Sequence, residues 1–308
     1  MKLEAALSRY ITQLRADGRS PHTVGQVTRH VRLLGRWLAN ESDSLEVAGL
    51  THEHLAGFLA SDAATLTGEG RPKKPASLNA LRSSLKTFGA YIHAAGYCSR
   101  NPAALVRRAI CGDPIPRALT ERQVQRLFAA MEADETPAAR RDRALFGLML
   151  ATGIRLSSAL AINVEDIDLD EGVLEVRFVK LGREQTVDLD VQARVLLKSH
   201  VGQRLMGPLF QNQHGERLSQ RTAQRRFRAA SIRAKVVCST VHSLRHTFAG
   251  NHLQSNKDVR LTQRALGHRS LQSTALYISG FECRESSAGS EVFGTPKSPS
   301  FAFGNTHT

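Results

Sequence analysis

The chain of 308 residues has four tyrosines, and everything after Tyr97 contains a single one, Tyr277. A lone tyrosine is most often a core residue. It becomes a nucleophile when a base or a cationic pocket activates a phenol whose ordinary pKa is about 10. Three other clusters carry side chains that could provide such surroundings. In "ATGIRLSSAL", Arg155 follows a glycine-containing turn where a helix begins, and free amides beside a guanidinium favour an anion. In "FVKLGREQ", Lys180 stands beside a predicted hairpin turn and shares the strand parity of Leu174, Val176 and Phe178, so it can be aimed at a cleft. In "VHSLRHTFAGNHL", His242 and Arg245 are three apart and therefore neighbours on one helical face, with Leu244 and Phe248 on the core-seeking face. His268 follows Gly267, a helix stop, and Ser270 caps the short helix that bears Tyr277.

His242 and His246 have the spacing of metal ligands, but the HExxH glutamate is missing and no acid or cysteine is near, so neither metal nor cofactor is expected.

The elements that must position these groups are mostly helical. Ser20 and Pro21 open a helix whose Val24, Val27, Val31, Leu34 and Leu38 keep helical spacing, and Leu78, Leu81, Leu85, Phe88 and Ile92 form a second stripe. Pro102, Pro114 and Pro116 mark a linker. Thr120 and Gln123 form a capping box before Val124, Leu127, Phe128 and Met131, and a mostly apolar helix ends near Gly153. "GVLEVRFVKLGREQTVDLD" alternates and reads as a hairpin, after which helices resume near Val191. After Cys283 the chain is rich in Ser, Gly and Pro without periodicity and reads as a flexible tail.

Charge points to the partner. Forty-two Lys and Arg against 28 Asp and Glu give a net charge of +14, which favours a polyanion and above all nucleic acid. Acids are absent from Gly70 to Gly112, where eight basic residues fall, and from Arg217 to Lys257, where nine do. Lys73, Lys74, Arg82 and Lys86 in the first tract are expected to contact DNA. So are Arg221, Arg225 and Arg228 in the second, which share one helical face. The start has no signal-peptide pattern and no stretch has the length of a membrane span, so no membrane partner is expected. The four cysteines form no CxxC pair, and a reducing cytoplasm is the simplest compartment.

The ordered boxes "ATGIRLSSAL", the hairpin lysine, "HSLRHTFA" and "LGHRSLQSTALYIS" strongly resemble the tyrosine recombinases, also called the phage integrase family. "SPHTVGQVTRHVRLLGRWL" and "YIHAAGYCSRNPA" are similar to the core-binding domain of Xer-like members, so the resemblance covers nearly the whole chain. It implies a mainly α fold forming a clamp around DNA. Residues 1–105 would be a helical, SAM-like core-binding domain and 106–117 a linker. Residues 118–285 would be a mixed α/β catalytic domain with a small antiparallel sheet, and 286–308 the tail. Arg155 and Arg245 would be the two active-site arginines, Lys180 the hairpin lysine, and His242 the histidine before LRH. His268 would take the His/Trp position and Tyr277 would be the nucleophile. The implied activity is site-specific recombination through a 3′-phosphotyrosyl link and a Holliday junction, for integration, excision or resolution of DNA elements. It would be carried out by a homotetramer on two duplexes in the cytoplasm at the nucleoid, with a related second recombinase left open. Ser158 stands where the family usually has an acid, which puts local tuning in doubt. The alternatives are a type IB topoisomerase-like or telomere-resolving enzyme, or a non-catalytic DNA-binding protein.

Overall fold

The computed structural model describes residues 1–41, 46–110, 117–178, 183–237 and 239–267. The chain divides into two compact units, Met1–Gly112 and Asp113–Thr308.

In the first unit α1 (Leu3–Ala16), α2 (Pro21–Glu41), α3 (His52–Ala60), α4 (Asp62–Thr65) and α5 (Pro75–Ala94) surround one core. Ser20 caps α2 by accepting the Thr23 N–H at 3.3 Å, and Pro21 takes the first helical position, where its missing N–H costs nothing. The two apolar stripes meet as expected: Val27, Val31, Leu34 and Leu38 on α2 pack with Leu81, Leu85, Phe88 and Ile92 on α5, all buried. His30 and Ser84 link the two helices through a 2.8 Å hydrogen bond. The unit holds the chain past residue 105. Val106 is buried in its core, and Asn79 bonds both ways with the Ala109 backbone, at 3.1 and 2.8 Å.

The second unit begins with α6 (Glu121–Glu132) and α7 (Pro137–Thr152), then α8 (Leu156–Ala161). Strands β1 (Ile167–Asp168), β2 (Val173–Phe178) and β3 (Arg183–Asp188) follow, and then α9 (Val191–Val201), α10 (Gln220–Arg233), α11 (Val241–Asn256) and α12 (Val259–Leu266). Its architecture is the mainly α fold with a small antiparallel sheet that the sequence implies. The Thr120–Gln123 capping box starts α6, whose Val124, Leu127, Phe128 and Met131 are buried, each stabilising by roughly 1.5–3 kcal/mol. The sheet is antiparallel in the order β1-β2-β3, and Leu174 and Val176 bury the alternating face of β2. The two-residue β1, too short to leave a period of its own, was not foreseen. Leu119 donates its N–H to Thr247 Oγ1 at 2.8 Å, tying the entry of this unit to α11. No helix among the described residues is long and apolar enough to cross a membrane.

Candidate active site

The turn between α7 and α8 is fixed by Gly153, which caps α7 in the left-handed conformation at φ 65°. A Cβ there would collide with the Phe248 ring, so the close approach of α11 as well as the backbone demands glycine. The turn delivers Arg155 as the N-cap residue of α8, half-buried, with its side chain lining a cleft.

Arg245, one turn into α11, is only 5% exposed. Its Nη1 donates to the Gly153 carbonyl at 2.5 Å and its Nη2 to the Leu266 carbonyl at 2.7 Å. One guanidinium thus joins the turn before Arg155 to the end of α12, the residue before the Gly267–His268 pair. Backbone carbonyls orient it.

His242 opens onto the same cleft. Partial desolvation lowers its pKa first, and the charges of Arg245 and Arg155 push it down further. The imidazole is therefore held neutral at neutral pH and able to accept a proton. His246, on the next turn, is lowered too, by burial and then by His242 and Arg245. So Arg155, His242 and Arg245, separated by up to ninety positions, converge. Lys180, His268 and Tyr277 lie outside the described residues.

The cleft has a volume of about 1210 Å³. Besides Arg155 and His242 it is lined by Arg117, Arg228, Lys235, Ser157 and Thr240, and no Asp or Glu is among its described lining residues. Positive charge without an internal acid, together with hydroxyls, suits a chain of phosphates. Ser158 faces inward and is 6% exposed. A carboxylate at that depth would need a paired cation, and a hydroxyl does not. A separate, more apolar cavity of about 220 Å³ lies among α6, α7, α9 and α11, and none of the candidate residues lines it.

The residues expected to grip DNA divide. Arg221, Arg225 and Arg228 are all exposed on α10, opposite the buried Ala223, Phe227 and Ala230. Arg228 lines the cleft, whereas Arg225 borders a smaller one on the other side of the helix. Arg217, in the same acid-free tract, is structural, donating to the carbonyls of Leu160 and Ile162 at the end of α8. In the first unit Lys74 and Lys86 are exposed. Arg82 is half-buried, and its Nη1 has no hydrogen-bond partner among the described residues. Lys73 Nζ donates to the carbonyls of Ala63 and Ala64 at 3.0 and 2.8 Å, so its ammonium already serves the α3–α4 corner. In the first unit burial, and then the charges of Arg29 and Lys73, lower the His30 pKa. Sequence reasoning missed Arg117 and Lys235 in the cleft. Arg117 had been assigned to the linker, and nothing local marks Lys235.

Residues 117–282 match the phage integrase family. The chain belongs to that family, the tyrosine recombinases. It is 31% identical over 282 residues to tyrosine recombinase XerC of Chromobacterium violaceum, covering 90% of each chain. It is 32% identical over 235 residues to the XerC of Thermodesulfovibrio yellowstonii, covering 72% of this chain and 75% of that one. Among solved structures, a lambda integrase dimer bound to a COC' core site matches with a TM-score of 0.71 at 21% identity, over 96% of this chain and 80% of that one. XerH bound to palindromic difH substrate matches with a TM-score of 0.70 at 20% identity, over 91% and 82%. At these identities the structural likeness shows the shared fold. The family boxes, the two arginines and the histidine before LRH are present in order.

Proposed function

We propose that the chain is a site-specific DNA recombinase that cleaves and rejoins duplex DNA through a covalent link to Tyr277. The supporting observation is that Arg155 and His242 line one basic cleft with no Asp or Glu among its described lining residues, while the carbonyl-anchored Arg245 lies near enough to His242 for its charge to lower that pKa. In this reading the two guanidiniums hold the non-bridging oxygens of the scissile phosphate, where charge builds up in the transition state. Neutral His242 takes the phenol proton as Tyr277 attacks phosphorus, and His268 hydrogen-bonds the phosphate. The bond to the 5′ oxygen breaks as Lys180 protonates it, leaving a 3′-phosphotyrosyl link and a free 5′-hydroxyl. The link conserves the phosphodiester energy, so a 5′-hydroxyl from a second duplex can attack it and restore the backbone without a nucleotide cofactor. Exchange of both strand pairs passes through a Holliday junction and needs four protomers, either identical or shared with a related recombinase. Lambda integrase forms a tetramer on a Holliday junction, and XerH has been captured on difH after cleavage. DNA as partner, oligomerisation on it and residence at the nucleoid follow from this reading.

The test uses nicked suicide duplexes built from the DNA flanking the gene, with chelator present. Wild type should form an adduct that survives SDS, and Tyr277→Phe should form none. Tight, site-specific binding with no adduct from wild type would overturn catalysis in favour of a non-catalytic DNA-binding role. Relaxation of one supercoiled duplex without exchange between two would favour the topoisomerase-like alternative.

A further inference from the structure

Among the described residues two that are not glycine have left-handed backbones, Lys235 at φ 55° and Lys257 at φ 51°. Lys235 follows the C-cap residue of α10 in a Schellman arrangement. Its N–H donates to the Ile232 carbonyl at 3.1 Å, and the Val236 N–H reaches the Ser231 carbonyl at 2.9 Å, with Val236 and Ser231 both buried. This position is ordinarily glycine, because a Cβ crowds the carbonyl in the left-handed region. The helix end therefore requires a conformation that a lysine side chain opposes.

A cation near a helix C-terminus is favoured by the dipole, and that holds for both lysines. What separates them is location. Lys235 is exposed and lines the cleft with Arg155, Arg228 and His242, whereas Lys257 is exposed and lines no part of it. No side-chain hydrogen bond or ion pair to any described residue holds the Lys235 ammonium. No acid is among the described residues that line the cleft. We propose that Lys235 is a positioning residue that grips a backbone phosphate of the duplex lying in this cleft, a charge kept at a strained helix end for its ligand. An ammonium on a four-carbon stem, needing no fixed fork geometry, can follow a phosphate from a turn whose backbone is already constrained.

This deepens the recombinase reading and rests on it, so the test separates the two. The full chain is titrated onto a 30-bp duplex of arbitrary sequence by fluorescence anisotropy at several KCl concentrations, since a phosphate contact is sequence-independent. Thermal melting of the free protein is followed in parallel. Lys235→Gly should raise the melting temperature by about 2–4 °C as the strain is relieved. It should also lessen the slope of log affinity against log salt by about 1. Lys235→Arg should keep the wild-type slope, and Lys257→Gly should gain stability with the slope unchanged. A Lys235→Gly slope equal to wild type, or an equal loss of slope in Lys257→Gly, overturns the role of Lys235. A wild-type chain whose binding shows no salt dependence would instead overturn DNA as the partner of the cleft.

Discussion

Two basic clefts flank α10, and they are built in opposite ways. The larger brings Arg117, Arg155, Arg228 and Lys235 together around His242 with no carboxylate among its described lining residues. The smaller brings Arg225, Arg226 and Arg233 together with Asp134 and Asp142. In the smaller one Asp142 pairs with two arginines. Asp142, 4% exposed, receives the Nε and Nη2 of Arg141 at 3.1 and 2.7 Å and also bonds Arg226, while Arg141 Nη1 reaches the Gln211 carbonyl. Arg226 pins α10 to α7 through Asp142. In the larger cleft Arg155, Arg228 and Lys235 meet no acid among the described lining residues. An arginine therefore reports on function through its partner more than through its charge.

The comparison breaks most readily through the two extremes. Arg155→Ala should lower single-turnover cleavage about 10²–10³-fold. It should move urea unfolding by no more than about 1 kcal/mol, because the half-buried side chain supports no core contact. Asp142→Asn should do the reverse. With Arg141 and Arg226 left next to a neutral group, the unit should lose about 3–5 kcal/mol in urea unfolding, while the folded fraction keeps its salt-dependent DNA binding. Equal stability losses in both variants would abolish the distinction between the clefts.

A pH profile sharpens it next. His242 has a pKa below the ordinary histidine value, so cleavage should stay flat down to about pH 6.5 and fall only in more acid solution. Arg155→Gln removes one of the depressing charges, so the residual activity should begin to fall at higher pH. An unchanged profile would remove His242 from the proton transfer. Stability follows the same sign at His200, which burial lowers to about 4 where it stacks on Phe210. The unfolded chain binds this proton first. The His200 contribution is therefore present above about pH 6.5 and is lost as pH falls toward 4, which urea titrations at fixed pH steps would record.

The smallest effect is the most specific. Arg228→Ala should lessen the salt slope of DNA binding by about 1, and Arg233→Ala, beside Asp134 and Asp142, should leave it unchanged.

Much of this was legible before folding. The stripes of α2 and α5, the capping box of α6, the glycine stops after α7 and α12 and the hairpin period of β2 and β3 are local patterns, and local physics carries them into the structure. The order of the chemical boxes was likewise enough to mark the family. What escaped reading depends on neighbours distant in sequence. Arg217 and Lys73 sit in acid-free basic tracts, yet each spends its charge on backbone carbonyls that only packing brings near. Arg226 and Arg228 are two residues apart on one helix and face different partners.

By itself the sequence determined which elements form and which side chains are chemically able to handle a phosphodiester, because both depend on residue type and short spacing. The tertiary structure alone decided that Arg245 is anchored by the carbonyls of Gly153 and Leu266, and that Arg155 and His242 open onto a cleft with no acid among its described lining residues. It alone decided that Arg141 and Arg226 share the buried Asp142. The physical reason is that a charge acquires its role from what lies within a few ångströms of it, and those neighbours arrive from α7, α8, α10, α11 and α12 only when the core beneath them closes.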